Sequence, residues 1–140
     1  MTTQPVHILL IDDDDVDIMA IKRAFRESKI GNPLLVAHDG IEALEMLRGQ
    51  GVPAVPKPYI ILLDLNMPRM NGVEFLTEIR NDPEHSRATI FVLTTSSAEE
   101  DKLAAYRKCI AGYIVKSNVG LDFIRLVKML DAYWMVVEIP

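Results

Sequence analysis

The chain has 140 residues, 49% apolar and 25% charged, with a net charge of −5. That size suits one domain with a real core, and the acidic balance excludes the basic surface that non-specific nucleic-acid binding needs. A single cysteine, Cys109, excludes an internal disulfide and suits a reducing cytosol, no apolar run is long enough for a transmembrane span, and the opening MTTQPVH lacks the features of a secretory signal.

The first apolar run, residues 6–11, reads as a buried strand broken only by His7 and ends in four acids, Asp12, Asp13, Asp14 and Asp15. A helix follows, with Val16, Met19, Ala20 and Phe25 predicted on a broad apolar face, stopping near Gly31. Residues 33–37 read as a second strand and His38-Asp39-Gly40 as a turn. Ile41, Leu44, Met46 and Leu47 then lie on a short helix. The segment 49–58, with three prolines and two glycines, is a loop. A third strand, 59–64, runs through uncharged residues to a single carboxylate, Asp64.

Pro68 and Gly72 punctuate the next loop, and residues 72–80 form a helix with Val73, Leu76 and Ile79 on one face. Asn81-Asp82-Pro83 ends that helix, and the segment 82–85 reads as a surface turn. Residues 89–93 are a fourth strand leading into Thr94-Thr95-Ser96-Ser97. Ser97 with Glu100 resembles a capping box for a helix reaching Arg107. A fifth strand, 112–115, ends at Lys116, and a last helix spans about 121–134 before an apolar tail, 135–140.

Strands alternating with helices predict an α/β fold: a doubly wound, five-stranded parallel sheet of order 2-1-3-4-5, the flavodoxin-like arrangement. Ligands in such sheets sit at the carboxyl ends of the strands. Asp12 and Asp13 from strand 1, Asp64 from strand 3, Thr94 from strand 4 and Lys116 from strand 5 should converge there. Three carboxylates so close repel, each pair by about 3 kcal/mol at an effective dielectric of about 20, which calls for a cation. Oxygen donors with no convergent Cys or His favour a hard ion such as Mg²⁺. Asp14 and Asp15 are better explained as helix N-caps. Beside a cation, Asp64 could act as a nucleophile toward phosphorus, Lys116 could bind a phosphoryl oxygen and the Thr94 hydroxyl could donate to another. His7, His38 and His85 are too scattered to suggest a metal site.

The segments ILLIDD (8–13), LLDLNMPRMNG (62–72), VLTTS (92–96) and GYIVK (112–116) resemble the receiver domain of two-component response regulators. The resemblance implies that Asp64 is the phosphoacceptor for a sensor histidine kinase or phosphotransfer protein. It implies Mg²⁺ held by the side chains of Asp13 and Asp64, by Asp12 through water, and by the backbone carbonyl of Asn66. Thr94 would be the switch hydroxyl, Tyr113 the aromatic switch residue and Lys116 the phosphoryl-binding cation, while Asn66 and Ser96 occupy positions that tune dephosphorylation. One departure stands out: the family usually has Lys-Pro with a cis bond, whereas this chain has Lys116-Ser117, where a cis bond would cost about 2.5–4 kcal/mol.

A stand-alone receiver over 1–134, with a tail at 135–140 and no output domain, is therefore expected, cytoplasmic and signalling through altered protein–protein binding. It would be no enzyme beyond its own phosphorylation and dephosphorylation. The apolar surface of the last helix and tail predicts either folding back onto the domain or a homodimer. That ending resembles single-domain regulators that partner phytochrome-type and hybrid kinases. Three other functions are weighed. A flavin binder of the same fold is disfavoured, because the first strand leads into four Asp residues that would repel a phosphate. A phosphatase of the haloacid dehalogenase kind would want a second Asp two residues after the nucleophile, where Asn66 stands. A phosphorylation-independent adaptor draws support only from Lys116-Ser117.

Overall fold

The computed structural model describes residues 6–27, 31–64, 67, 70–94, 110 and 112–115, the last four and Thr94 as backbone only. Five parallel strands form one sheet: β1 (His7–Ile11), β2 (Leu34–Ala37), β3 (Tyr59–Asp64), β4 (Thr89–Thr94) and β5 (Gly112–Val115). Their order is β2-β1-β3-β4-β5, as the alternation of apolar runs predicts. Three helices are described, α1 (Asp15–Glu27), α2 (Gly40–Arg48) and α3 (Gly72–Arg80).

β1 and β3 are buried on both faces, which is why they read as unbroken apolar runs. Leu9, Ile11, Ile61, Leu63, Ile90 and Val92 point to one face, where Leu44 and Leu47 of α2 and Phe75, Leu76 and Ile79 of α3 cover them. Ile8, Leu10, Ile60, Leu62, Phe91 and Leu93 point to the other, where Ile18, Ile21 and Phe25 of α1 pack.

Local chemistry sets the helix starts. Asp14 accepts from the N–H of Val16 at 2.9 Å, so Asp14 caps α1 and Asp15 begins it. Asp39 caps α2 by accepting from Glu42 N–H at 2.8 Å. Asn71 and Glu74 form a reciprocal capping box on α3. α2 ends at Gly49, whose φ of 67° is the left-handed conformation that glycine supplies most readily.

Several sequence expectations need correction. Val16 and Met19 are 74% and 60% exposed and Ala20 is exposed as well, so the buried face of α1 is Ile18, Ile21 and Phe25. The helix carries apolar residues around much of its girth, and its packing against β1 and β3 selects the inward stripe. Gly40 is the first residue of α2 rather than part of a turn, and β4 extends one residue further, to Thr94. β1 and β2 each start one residue later than predicted. Residues 83–85 do form a turn with Pro83 and Glu84 exposed, but His85 within it is buried, 5% exposed, and its Nδ1 lies 2.6 Å from the Tyr59 hydroxyl. The predicted helix ending at Arg107, the last helix and the tail lie outside the described residues.

The Tyr59–His85 pair sits at the amino-terminal end of β3, near the Asp82 carboxylate that Arg48 holds at 2.9 Å. Burial, reinforced by Asp82 and opposed by Arg80, pushes the Tyr59 hydroxyl from its usual 10.0 up to about 12. The folded state therefore keeps this proton over a range in which the unfolded chain has lost it. The associated stability is complete below about pH 10 and is lost as pH rises through about 12. Urea unfolding across that range should show a falling midpoint, and Tyr59→Phe should remove that part of the fall while costing about 1 kcal/mol at neutral pH through the lost hydrogen bond. An unchanged alkaline slope in Tyr59→Phe would count against this account.

Candidate functional site

The carboxyl ends of β1 and β3 lie side by side, with Ile11 paired to Leu63. The next residue on each strand is an acid. Asp12 is fully buried and Asp64 is 4% exposed, while Asp13 is exposed. One carboxylate oxygen from each of the three lies within 4.8 Å of the others.

The backbone holds this arrangement in place. Asp12 N–H donates to Ala37 O of β2 at 3.0 Å, so β1 remains tied to its neighbour beyond its last strand residue. The Asp12 side chain turns back and accepts from Asp14 N–H at 2.9 Å, which leads into the cap of α1. Asp64 remains within the sheet, opposite Leu93 of β4. Burying two carboxylates beside a third is costly, because like charges at this range repel and water no longer solvates them fully. The all-oxygen donor set fits a hard divalent cation, whose charge would offset both effects.

Of the other predicted residues, Thr94 closes β4 one position beyond Asp64's neighbour Leu93 and pairs with Val115. Tyr113 pairs with Val92, and Lys116 follows Val115 in sequence. The sheet register thus brings Asp12, Asp13, Asp64 and the Thr94 backbone to the same end. Lys116, Asn66 and Ser96 lie outside the described residues, as do the side chains of Thr94 and Tyr113.

One neighbour of the crevice escaped sequence reading. His38 follows β2, with Nε2 3.9 Å from an Asp15 oxygen and Nδ1 3.3 Å from Glu42. The spacing of Asp39 and Glu42 is itself a capping signal, and Glu42 accepts from His38 N–H at 3.1 Å.

Residues 8–131 match the response regulator receiver domain family. The chain belongs to that family. This receiver is 35% identical over 132 residues to response regulator Rcp1 of Synechocystis, an alignment covering 94% of this chain and 90% of that one. A crystal structure of the Mn²⁺-bound form of response regulator Rcp1 aligns with a TM-score of 0.76 at 33% identity, over 97% of this chain and 99% of the other. The phosphorylated cyanobacterial phytochrome response regulator RcpA aligns at 0.79 and 32% identity, over 98% and 99%. The receiver is thus a component of two-component signalling, in which such domains partner histidine kinases or phosphotransfer proteins. Receiver domains bind a divalent metal at an acidic site, and three acids cluster at the strand ends of this one. Among the described residues, no helix is long and apolar enough to cross a membrane.

Proposed function

We propose that this receiver is phosphorylated on Asp64, with Mg²⁺ as its cation, and that it signals through phosphorylation-dependent protein binding. The convergence of Asp12, Asp13 and Asp64 carries the reading. The side chains of Asp13 and Asp64, Asp12 through water, and the backbone carbonyl of Asn66 would hold the ion. When bound, the ion supplies positive charge that neutralises phosphoryl oxygens and orients them.

Asp64 is the nucleophile. Its carboxylate oxygen forms the new bond to phosphorus as the bond from phosphorus to the donor breaks, and the donor leaves with that electron pair. Against a phosphohistidine donor, the leaving nitrogen gains a proton. Asp64 stands in a strand with neighbours on both sides, so its approach is fixed by the sheet rather than by a loop. Lys116 binds a phosphoryl oxygen as a compact cation, and the Thr94 hydroxyl donates to another. That hydroxyl then draws Tyr113 into the switched state, which remodels the β4–β5 side of the domain. Hydrolysis of the acyl phosphate resets the protein, and no separate substrate is turned over.

The finer assignments belong to the same reading. A phytochrome-type kinase is supported by likeness to RcpA, whose description names a phytochrome system. A homodimer through the last helix and tail is supported by the apolar sequence there, YWMVVEIP. The receiver acts in the cytoplasm.

The test is incubation with acetyl phosphate and Mg²⁺, followed by intact mass and size-exclusion chromatography. A gain of one phosphoryl group, lost on chelation and absent in Asp64→Asn, is the expected result. Labelling that persists in Asp64→Asn would move the phosphoacceptor elsewhere, and a dimer-sized species before or after labelling would settle the assembly.

A further inference from the structure

We propose that Gly40 is a positioning residue for the segment leaving Asp64, acting through a direct contact with Met70. Gly40 is the first residue of α2, at the carboxyl end of β2. Its backbone is not in the left-handed region; among the described residues the glycines with positive φ are Gly49 and Gly51. Conformation therefore does not require glycine here, and helix propensity favours alanine. Space does require it. A Cβ on Gly40 would lie 2.7 Å from Met70 Cγ, 2.8 Å from Sδ and 3.0 Å from Cβ. The last of these atoms is fixed to the Met70 backbone, so a change of side-chain rotamer alone leaves the site tight.

The same two residues are joined through their main chains. Gly40 N–H donates to Met70 O at 3.4 Å. Each partner stands on a fixed base. Asp39, 6% exposed, caps α2 and holds its first turn at the end of β2. Met70 is followed by Asn71, which caps α3 through its reciprocal box with Glu74. Met67, 8% exposed, anchors the segment in the core. The chain from Asp64 to Asn71 is thus fixed at both ends and tied sideways to α2 at Met70. Met70 is six residues from Asp64 along the chain, so a shift of Met70 has a short covalent path to the carboxylate. Cation and phosphoryl geometry tolerate little displacement.

The experiment combines calorimetric Mg²⁺ titration with the half-life of the acyl phosphate. Only the second readout rests on Asp64 being the phosphoacceptor. Gly40→Ala and Met70→Ala should each change Mg²⁺ affinity and half-life by about threefold or more, because both disturb one contact. The double variant should be no further from the parent than the more affected single variant. Met70→Leu, which keeps the volume, should stay within about twofold. Thermal unfolding in chelator separates positioning from folding: Gly40→Ala crowds Met70 and should melt lower, but it should be fully folded at the titration temperature, so its altered Mg²⁺ binding is read on folded protein.

Unchanged affinity and half-life in Gly40→Ala, with phosphorylation still abolished by Asp64→Asn, would overturn the positioning role alone. Additive effects in the double variant would also overturn it. No phosphorylation of the parent protein would overturn the reading of Asp64, and the titration would still decide the role of Gly40.

Discussion

Asp12→Asn is expected to make the protein more stable in chelator and less responsive to Mg²⁺. In the absence of a cation, Asp12 and Asp64 are buried with their carboxylates in one cluster with Asp13, oxygens within 4.8 Å. At that separation each pair of unit charges repels by about 3 kcal/mol at an effective dielectric of about 20. Asparagine keeps the oxygen that accepts from Asp14 N–H and removes the charge. After solvent screening at the exposed Asp13, a gain of about 1–2 kcal/mol in chelator is expected. With the cation the sign reverses, because a negative group that holds it has gone. Mg²⁺ affinity should fall by about 100-fold, and most of the Mg²⁺-dependent rise in melting temperature should vanish with it. Thermal unfolding in EDTA and at several Mg²⁺ concentrations reads both halves. Equal destabilisation in both conditions would mean that Asp12 is a structural carboxylate and that the cluster does not serve a cation.

Phe75→Ala should cost about 3–5 kcal/mol, the range for removing a buried aromatic ring. Phe75 is fully buried between α3 and the sheet, among Leu63, Ile61 and Leu76 in the same cluster. A domain of this kind has about 5–15 kcal/mol in total, so the change removes a large fraction. Denaturant unfolding should show a lower midpoint with an unchanged slope, since the surface exposed on unfolding is nearly the same. The folded fraction should still accept a phosphoryl group, because the ring lies in the core and not among the acids. A cost below about 1.5 kcal/mol would show that the site refills when the ring is removed. The capping box would then have to account for the seating of α3.

The elements that could be read from sequence are those whose signal is local. β3 and α3 fall on the predicted residues, because an unbroken apolar run and a helical spacing bounded by Gly72 and Pro83 are both short-range features. The acidic crevice was legible for a further reason: parallel topology sends strand ends to one side, and Asp12 and Asp64 each follow an apolar run. What was not legible depends on distant partners. His85 reads as a turn residue until Tyr59, 26 positions earlier, is brought against it. Gly40 reads as a turn glycine until Met70 occupies the space where a side chain would be. In α1 the difficulty is different. Val16, Met19, Ile18 and Ile21 are all apolar, so composition cannot choose the inward stripe, and only the contact with the sheet does.

The two helices on the Leu9–Leu63 face are fastened to each other at opposite ends. Near the acids, α2 meets the lead-in to α3 through Gly40 and Met70. At the far end, Arg48 of α2 reaches Asp82 just past α3 at 2.9 Å and Glu78 within it at 3.9 Å. A pair laced at both ends can neither slide nor splay without breaking one of those ties. The seam between α2 and α3 is thus held by backbone and volume at the end near the acids, and by charge at the other, so salt should loosen only the Arg48 end.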